Sequence, residues 1–326
     1  MNILVIGFGS IGRRHIKNLK ALDPSLELAV LRQHSKSPDL GDVSDLVGQI
    51  FFQEDQAVDW GPHAVVIANP APMHVPTALR FAGAGAHLFI EKPIAVSLEN
   101  IDRLQKICLD KNLVAMVGYV MRFMPPVVIM KEAVLGQRIG RLLSVQARVG
   151  RYLPAWRPGK DYRGQVSARR ELGGGVILEL SHELDYVRWL AGEVTDIRSM
   201  TGKLSDLEIE VEDAAEIHAH HQGGVLSHIH LDMFDHAPNR SCRLIGTQGT
   251  LVWDSSLGEH LVRIWREDEQ QWQTIYEEKN LGADVMHMAQ WRHFFDCVRN
   301  CRQPLVGLSD AKRVLELSLE VMKGRL

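Results

Sequence analysis

The chain opens "MNILVIGFGSIGRRHIKNLKAL". A short, branched apolar run passes at once into Gly7, Gly9 and Gly12, and then into a helical pattern. A buried strand that ends on glycines and opens a helix is the start of a βαβ unit, which points to an α/β fold with a parallel sheet. The G-x-G-x-x-G spacing alone is a weak signal, and its position between strand and helix is what gives it weight. Such glycines permit a tight turn and close approach of a pyrophosphate, which then meets the positive end of the helix. Gly7, Gly9, Ser10, Ile11 and Gly12 are therefore the expected dinucleotide cradle.

The rest of the first third repeats the theme. "LELAVLR", "HAVVIANP", "HLFIEKP" and "LVAMVGY" read as strands, with "VPTALRFAGAG" and "SLENIDRLQKICLDKN" as helices between them. The "ANP" and "EKP" stretches each fall just past a strand's carboxyl end, where open α/β sheets bind ligands. An NAD enzyme usually carries an acid at the end of the second strand. Here that end is "AVLRQHSKS", with Arg32 followed by Ser35 and Lys36. An arginine there pairs with a 2′-phosphate and stacks on adenine, which favours NADP over NAD and leaves both open.

After about residue 120 the texture changes. "LLSVQARVGRYL" and the partly alternating stretches from Val194 to about Glu278 read as an antiparallel sheet, one face covered. Two helical stretches follow, "MHMAQWRHFFDCVRN" and "LSDAKRVLELSLEVMKGRL". The expected organisation is a dinucleotide-binding domain over 1–120 and an α/β substrate and oligomerisation domain over 121–326. A net charge of −3 gives no reason to expect nucleic acid or an anionic membrane as partner. No apolar run approaches the roughly 20 residues that span a bilayer. The start "MNILVIG" has no basic region or cleavage site of a signal peptide. With four cysteines in no framework pattern, the expected compartment is the cytoplasm. Cys297 and Cys301 stand four apart in a helical stretch and could share a face.

Four features in order resemble the Gfo/Idh/MocA (glucose-fructose oxidoreductase, inositol dehydrogenase, rhizopine catabolism) oxidoreductases. They are the loop at 7–12, "VVIANPAPMHVPTALRFAGAGAHLFIEKPIAVS", "GYVMRFMPP" and "GGGVILELSHELDYVRWLAGEV". The resemblance implies a Rossmann domain followed by an α/β domain with an open, mostly antiparallel sheet. It implies hydride transfer between a nicotinamide cofactor, NAD or NADP, and a carbinol carbon of a sugar, cyclitol or sugar derivative. It also implies a homodimer or homotetramer through the exposed sheet face. Lys92 matches the family's catalytic lysine and would stabilise negative charge on the reacting oxygen. Glu91 and Pro93 would shape its turn, Glu91 beside the cofactor. Asn69, Pro70 and His74 would line the nicotinamide side, and Arg122 would touch cofactor or substrate.

Residues 177–190 read as one helix, with Leu180, Leu184, Val187 and Ala191 as an apolar stripe. At 100° per residue His182 lies opposite that stripe, flanked by Glu179 and Asp185. A solvated polar face would give the same pattern. Metal readings fare worse. H-E-x-x-H fails at Tyr186, and "ELSH" has no second E-x-x-H to make a di-iron pair. His218, His220, His228 and His230 alternate along strands, where sheet-face packing or a subunit contact explains them better than a metal; no metal is expected. By resemblance His182 is the acid/base, and a reference pKa of about 6.5 suits that work. The family often has a carboxylate four residues before this histidine, but Glu179 is three before, so its role stays open. Asp185 keeps the family spacing and would bind a substrate hydroxyl or orient the histidine. In "RYLPAWRPGKDYRGQVSARRELGGG", Tyr152, Trp156, Arg157, Asp161, Tyr162 and Arg163 would contact substrate or support its loop, as in members near surface-sugar and amino-sugar pathways. Redox-assisted glycoside cleavage and a non-catalytic dinucleotide sensor are the alternatives.

Overall fold

The computed structural model describes residues 1–32, 39–255, 260–279, 281–282 and 284–324. Ser35 and Lys36 lie outside them. The chain divides into two compact units, Met1–Tyr119 with His287–Leu315, and Val120–Met286 with Glu316–Leu326.

The first unit runs β1 (Asn2–Ile6), α1 (Ser10–Leu22), β2 (Glu27–Leu31), β3 (Gln49–Phe51), α2 (Glu54–Asp59), β4 (Ala64–Ile67), α3 (His74–Gly83), β5 (His87–Ile90), α4 (Ile101–Asp110) and β6 (Ala115–Val117). Its strands pair in parallel in the order β3-β2-β1-β4-β5-β6. Chain order reverses between β1 and β4, the switch point at which such sheets open a crevice for ligands. Ile3, Leu4 and Val5 have no exposed surface, as expected of a strand covered on both faces. Each such side chain contributes about 1.5–3 kcal/mol by burial. In α1 the buried positions are Gly12, His15, Ile16, Asn18 and Leu19, a stripe at helical spacing that contains two polar residues. The pair β3 and α2 was not read from sequence, because three and six residues are too short to show a period.

The second unit runs α5 (Pro125–Leu135), β7 (Leu142–Gly150), α6 (Val176–Glu179), α7 (His182–Ala191), then β8 (Val194–Gly202), β9 (Ala214–His221), β10 (Leu226–Asp232), β11 (Asn239–Gly246), β12 (Gly249–Asp254), β13 (His260–Arg266) and β14 (Gln271–Glu278). The eight strands order as β14-β13-β12-β11-β7-β10-β9-β8. Only β7 and β10 pair in parallel, so the sheet is mostly antiparallel. In β9, Ala215, Ile217, Ala219 and His221 turn to the covered face while His218 and His220 are exposed. On the open side His228 and His230 both meet Glu216, at 2.8 and 2.5 Å, and His230 also meets Asp232 at 2.9 Å.

Two helices end the chain, α8 (Val285–Arg299) and α9 (Leu308–Val321). The change of sequence texture near residue 120 predicts a second domain over all of 121–326; His287–Leu315 instead belongs to the first unit. The packing shows why. Trp291 stacks on Phe89 of β5 at 4.3 Å, and Phe294 meets the same ring edge-on at 5.9 Å. Such contacts join residues some two hundred positions apart, which local pattern does not encode. Cys301 also departs from expectation. It lies beyond the end of α8 with φ +50°, exposed, while Cys297 is buried, so the two share no helical face.

Candidate active site

In the first unit the glycine loop joins β1 to α1. Gly7 has φ +95°, and a Cβ there would overlap the Ala68 carbonyl just past β4. A Cβ on Gly12 would overlap the Gly7 carbonyl. Both glycines are thus demanded by the chain's own packing. Gly9 is not: a Cβ there would meet nothing within 4 Å. It is the N-cap of α1, with no side-chain cap and no acidic residue in the first turn. The N–H groups of Ser10, Ile11 and Gly12 therefore begin a helix whose positive end faces open space, which fits the pyrophosphate of a dinucleotide. Arg32, just past β2, holds its guanidinium carbon 5.0 Å from the Phe8 ring of this loop. Its Nη1 donates to the Asp39 carbonyl at 2.7 Å.

Past β4 and β5 stand the remaining expected residues of this unit. The Asn69 amide nitrogen donates to Thr77 Oγ1 at 3.1 Å. Pro70 precedes a single 3-10 turn, Ala71–Met73, that leads into α3. His74 was expected to line the nicotinamide side. The structure instead places its Nδ1 2.8 Å from the Pro93 carbonyl oxygen and its Nε2 2.7 Å from the Asn69 carbonyl oxygen, and only 2% of the residue is exposed. Neither ring nitrogen is turned to a ligand. Burial pushes the His74 pKa below its usual range and outweighs the two carbonyl contacts, which push it up. Glu91 holds one carboxylate oxygen 2.6 Å from His15 Nε2, and the other accepts the Lys92 backbone N–H at 3.3 Å. Burial pushes its pKa up, but the His15 hydrogen bond and the charges around it pull it below the usual carboxylate range. The Lys92–Pro93 peptide bond is cis.

In the second unit the triple glycine leads into α6. Gly173 has φ +85° and Gly175 φ +108°, the left-handed side that glycine tolerates. A Cβ on Gly174 would overlap the Val166 carbonyl, and one on Gly175 the Glu212 carboxylate. The glycines let this corner press against the 166–169 turn and Glu212. Burial raises the Glu212 pKa above the usual range.

The helix expected over 177–190 is broken. It ends at Glu179, Leu180 takes φ −104° and ψ 23°, and a second helix starts at His182. The apolar stripe survives, since Leu180, Leu184, Val187 and Ala191 are all buried. The polar face does not. Asp185 is fully buried and meets Arg122 with Nε–Oδ2 at 3.0 Å and Nη2–Oδ1 at 2.7 Å. Arg122 is itself 3% exposed. Its guanidinium also lies 5.7 Å from the Trp189 ring. Two carboxylates therefore do not flank His182 on an open face. Glu179 ends a separate turn, and Asp185 is neutralised within the fold, which is what permits its burial. Glu183, also fully buried, pairs with Arg240 at 2.8 Å. His182 opens α7, partly exposed.

The expected substrate residues separate. The Tyr152 ring lies 4.1 Å from that of His236, tilted by 32°, and lines a cavity of about 430 Å³ with Tyr162, Phe234 and Asp206. Trp156 donates its indole N–H to the Arg151 carbonyl at 2.9 Å, and Arg157 donates to Gln165 at 2.7 Å. Arg163 pairs with Asp161 and Glu208. Trp156, Arg157, Asp161 and Arg163 thus brace their own loop.

Sequence reasoning missed His15, Trp291 and Arg240. His15 was findable, because a histidine on the α1 stripe beside Ile16 and Leu19 had to be buried and partnered. Trp291 and Arg240 carried no local signal.

A Rossmann unit with an open glycine cradle, followed by a mostly antiparallel unit, matches known sequences in both halves. Residues 1–119 match the oxidoreductase family with the NAD-binding Rossmann fold, and residues 127–252 match the GFO/IDH/MocA C-terminal domain. The chain belongs to the Gfo/Idh/MocA family of oxidoreductases. The family members it resembles include scyllo-inositol 2-dehydrogenase (NAD(+)) of Bacillus subtilis, 23% identical over 97% of this chain and 91% of that one. Myo-inositol 2-dehydrogenase of Thermotoga maritima is 25% identical over 99% of this chain and 96% of that one. Among solved structures, a levoglucosan dehydrogenase in complex with NADH superposes with TM-score 0.87 over 99% of this chain and 96% of that one, at 18% identity. That likeness is one of fold.

Among the described residues, no helix of this family member is long and apolar enough to cross a membrane.

Proposed function

We propose that the protein is an NAD(P)-dependent dehydrogenase or reductase of a sugar, cyclitol or sugar derivative. The observation that carries this is the pairing of Gly9, left open before the uncapped end of α1, with Lys92 past β5 of the same sheet. The first binds pyrophosphate and the second faces chemistry. Family relatives that act on inositols support a polyol substrate. A bound nicotinamide supplies the hydride acceptor or donor. Lys92 stabilises negative charge on the substrate oxygen as its proton leaves. His182 takes that proton, and Arg122 fixes Asp185 in the helix turn that His182 opens. Arg32 beside the loop takes the 2′-phosphate and favours NADP(H). Tyr152 in its cavity contacts the sugar. The open face of the eight-stranded sheet, where Trp272 and Leu226 are exposed, pairs with a second copy.

The test is a fluorescence titration with NADH and NADPH, followed by free and nucleotide-linked sugars watched at the nicotinamide band. A sugar-dependent band change is expected. Cleavage of a glycoside with no net band change would assign redox-assisted hydrolysis instead. Cofactor binding without turnover of any sugar would assign a sensor.

A further inference from the structure

We propose that two buried histidines, His15 and His74, grip the residues on either side of Lys92 and set its position, with Trp291 fixing the tautomer in which His15 does so. The inference rests on the reading of Lys92 as the group that faces the reacting oxygen.

The last sheet hydrogen bond of β5 in this direction is Glu91 N–H to the Ile67 carbonyl, at 2.9 Å. The next N–H, that of Lys92, is held by the Glu91 side chain. The lysine's own peptide is thus oriented by a carboxylate, and that carboxylate is oriented by His15. On the far side, the buried His74 ring is wedged between the Pro93 and Asn69 carbonyls, 2.8 and 2.7 Å from its two nitrogens, between the chain past β5 and the chain past β4. Both rings are buried, at 0% and 2% exposure, so neither contact is exchanged for water.

The tautomer follows from donor chemistry. The Trp291 indole nitrogen lies 3.1 Å from His15 Nδ1. An indole N–H can only donate. Nδ1 is therefore an acceptor without a proton, and the ring's proton sits on Nε2, aimed at Glu91. A hydrogen bond to an ionised carboxylate is about twice as strong as a neutral one. The chain of bonds thus runs from α8, through α1, to the peptide that carries Lys92. It gives the return of His287–Leu315 to the first unit a role in the reaction. The three are positioning residues: His15 and Trp291 act through Glu91, and His74 acts through Pro93.

The experiment compares wild type with His15→Leu, His15→Gln and Trp291→Phe. Glutamine keeps an N–H close to the place of Nε2; leucine does not. The measurements are melting temperature, NADH affinity, kcat and KM on the sugar that the screen selects, and ¹⁵N imidazole spectra of wild type and Trp291→Phe. His15→Leu should lower kcat roughly 10- to 100-fold, the loss expected of a reacting group displaced by about an ångström. KM and NADH affinity should stay close to wild type, and His15→Gln should recover most of the loss. The wild-type His15 ring should carry its proton on Nε2, and Trp291→Phe should mix the tautomers. Wild-type kcat in a folded His15→Leu, or a wild-type proton on Nδ1, would overturn the proposal. Should His15→Leu fail to fold, His15→Gln and Trp291→Phe decide: near-wild-type kcat in the first with a lowered kcat in the second upholds it, and any other pattern overturns it. If the wild type turns over no sugar, the proposed function fails and the spectrum alone decides: Nε2 upholds the grip, Nδ1 overturns it.

Discussion

The corner that carries Lys92 and the corner that carries His182 are built on opposite principles. Around Lys92, neighbours are held by buried imidazoles against a carboxylate and backbone carbonyls. Around His182, the helix turn is held by a full ion pair, Arg122 with Asp185, both buried. The glycines differ in the same way. A Cβ on Gly9 would meet nothing within 4 Å, whereas Gly174 and Gly175 leave room for the protein itself. The glycine loop of the first unit is open at Gly9, and the triple-glycine corner of the second is packed tight.

That contrast can be broken most forcefully at the ion pair. Arg122→Met should destabilise the fold by about 3–5 kcal/mol, because Asp185 is left charged and buried. Arg122→Met with Asp185→Leu should restore much of the stability. Denaturant melts of the single and double variants decide this; equal losses in both would mean that the stranded Asp185 charge is not what destabilises the single variant.

The glycines come next. Gly175→Ala should cost about 1–3 kcal/mol, from its positive φ and the Glu212 carboxylate. Gly9→Ala should cost under about 1 kcal/mol, yet weaken NADH about tenfold by closing the approach to the helix end. Thermal melts and fluorescence titration test the two together. A tight-binding Gly9→Ala would remove the functional half of the contrast.

The smallest effect concerns the carboxylate–histidine network on the sheet of the second unit, in which Asp232 is buried and Glu216 is exposed. The Asp232 bond, against burial, and the Glu216 bond hold the His230 pKa above its usual range. Its contribution is full below pH ~6.5 and is lost as pH rises through the raised pKa. Asp232 and Glu216 are raised by burial but pulled lower by their histidine bonds, so their contribution is present above pH ~4 and lost as pH falls through the lowered values. Stability from this network should therefore peak at mildly acidic pH. With Glu216 45% exposed, its size should stay under ~1 kcal/mol. His230→Asn should flatten the alkaline side of a plot of melting temperature against pH; an unchanged plot would dismiss the network.

The first corner was the legible one. A strand, three glycines and a helix are contiguous, and "EKP" follows a strand directly, so spacing and context were enough to place both. The second was misread where it departs from periodicity. A single helix over 177–190 assumed 100° per residue without a break, and the break at Leu180 moved Glu179 and Asp185 off a common face. An arginine sixty-odd residues away then supplied the charge that lets Asp185 be buried, and no local pattern announces such a partner. For the same reason Trp291 was invisible from sequence: its meaning depends on which unit α8 joins.

Two roles in the proposed function carry the most weight: Lys92 as the group that stabilises negative charge, and His182 as the proton acceptor. The direct measurement is kcat and NADH affinity for Lys92→Met and His182→Asn beside wild type. NADH should bind both variants like wild type, with kcat lower by roughly a hundredfold or more in each. Wild-type turnover in either variant would contradict the role of that residue.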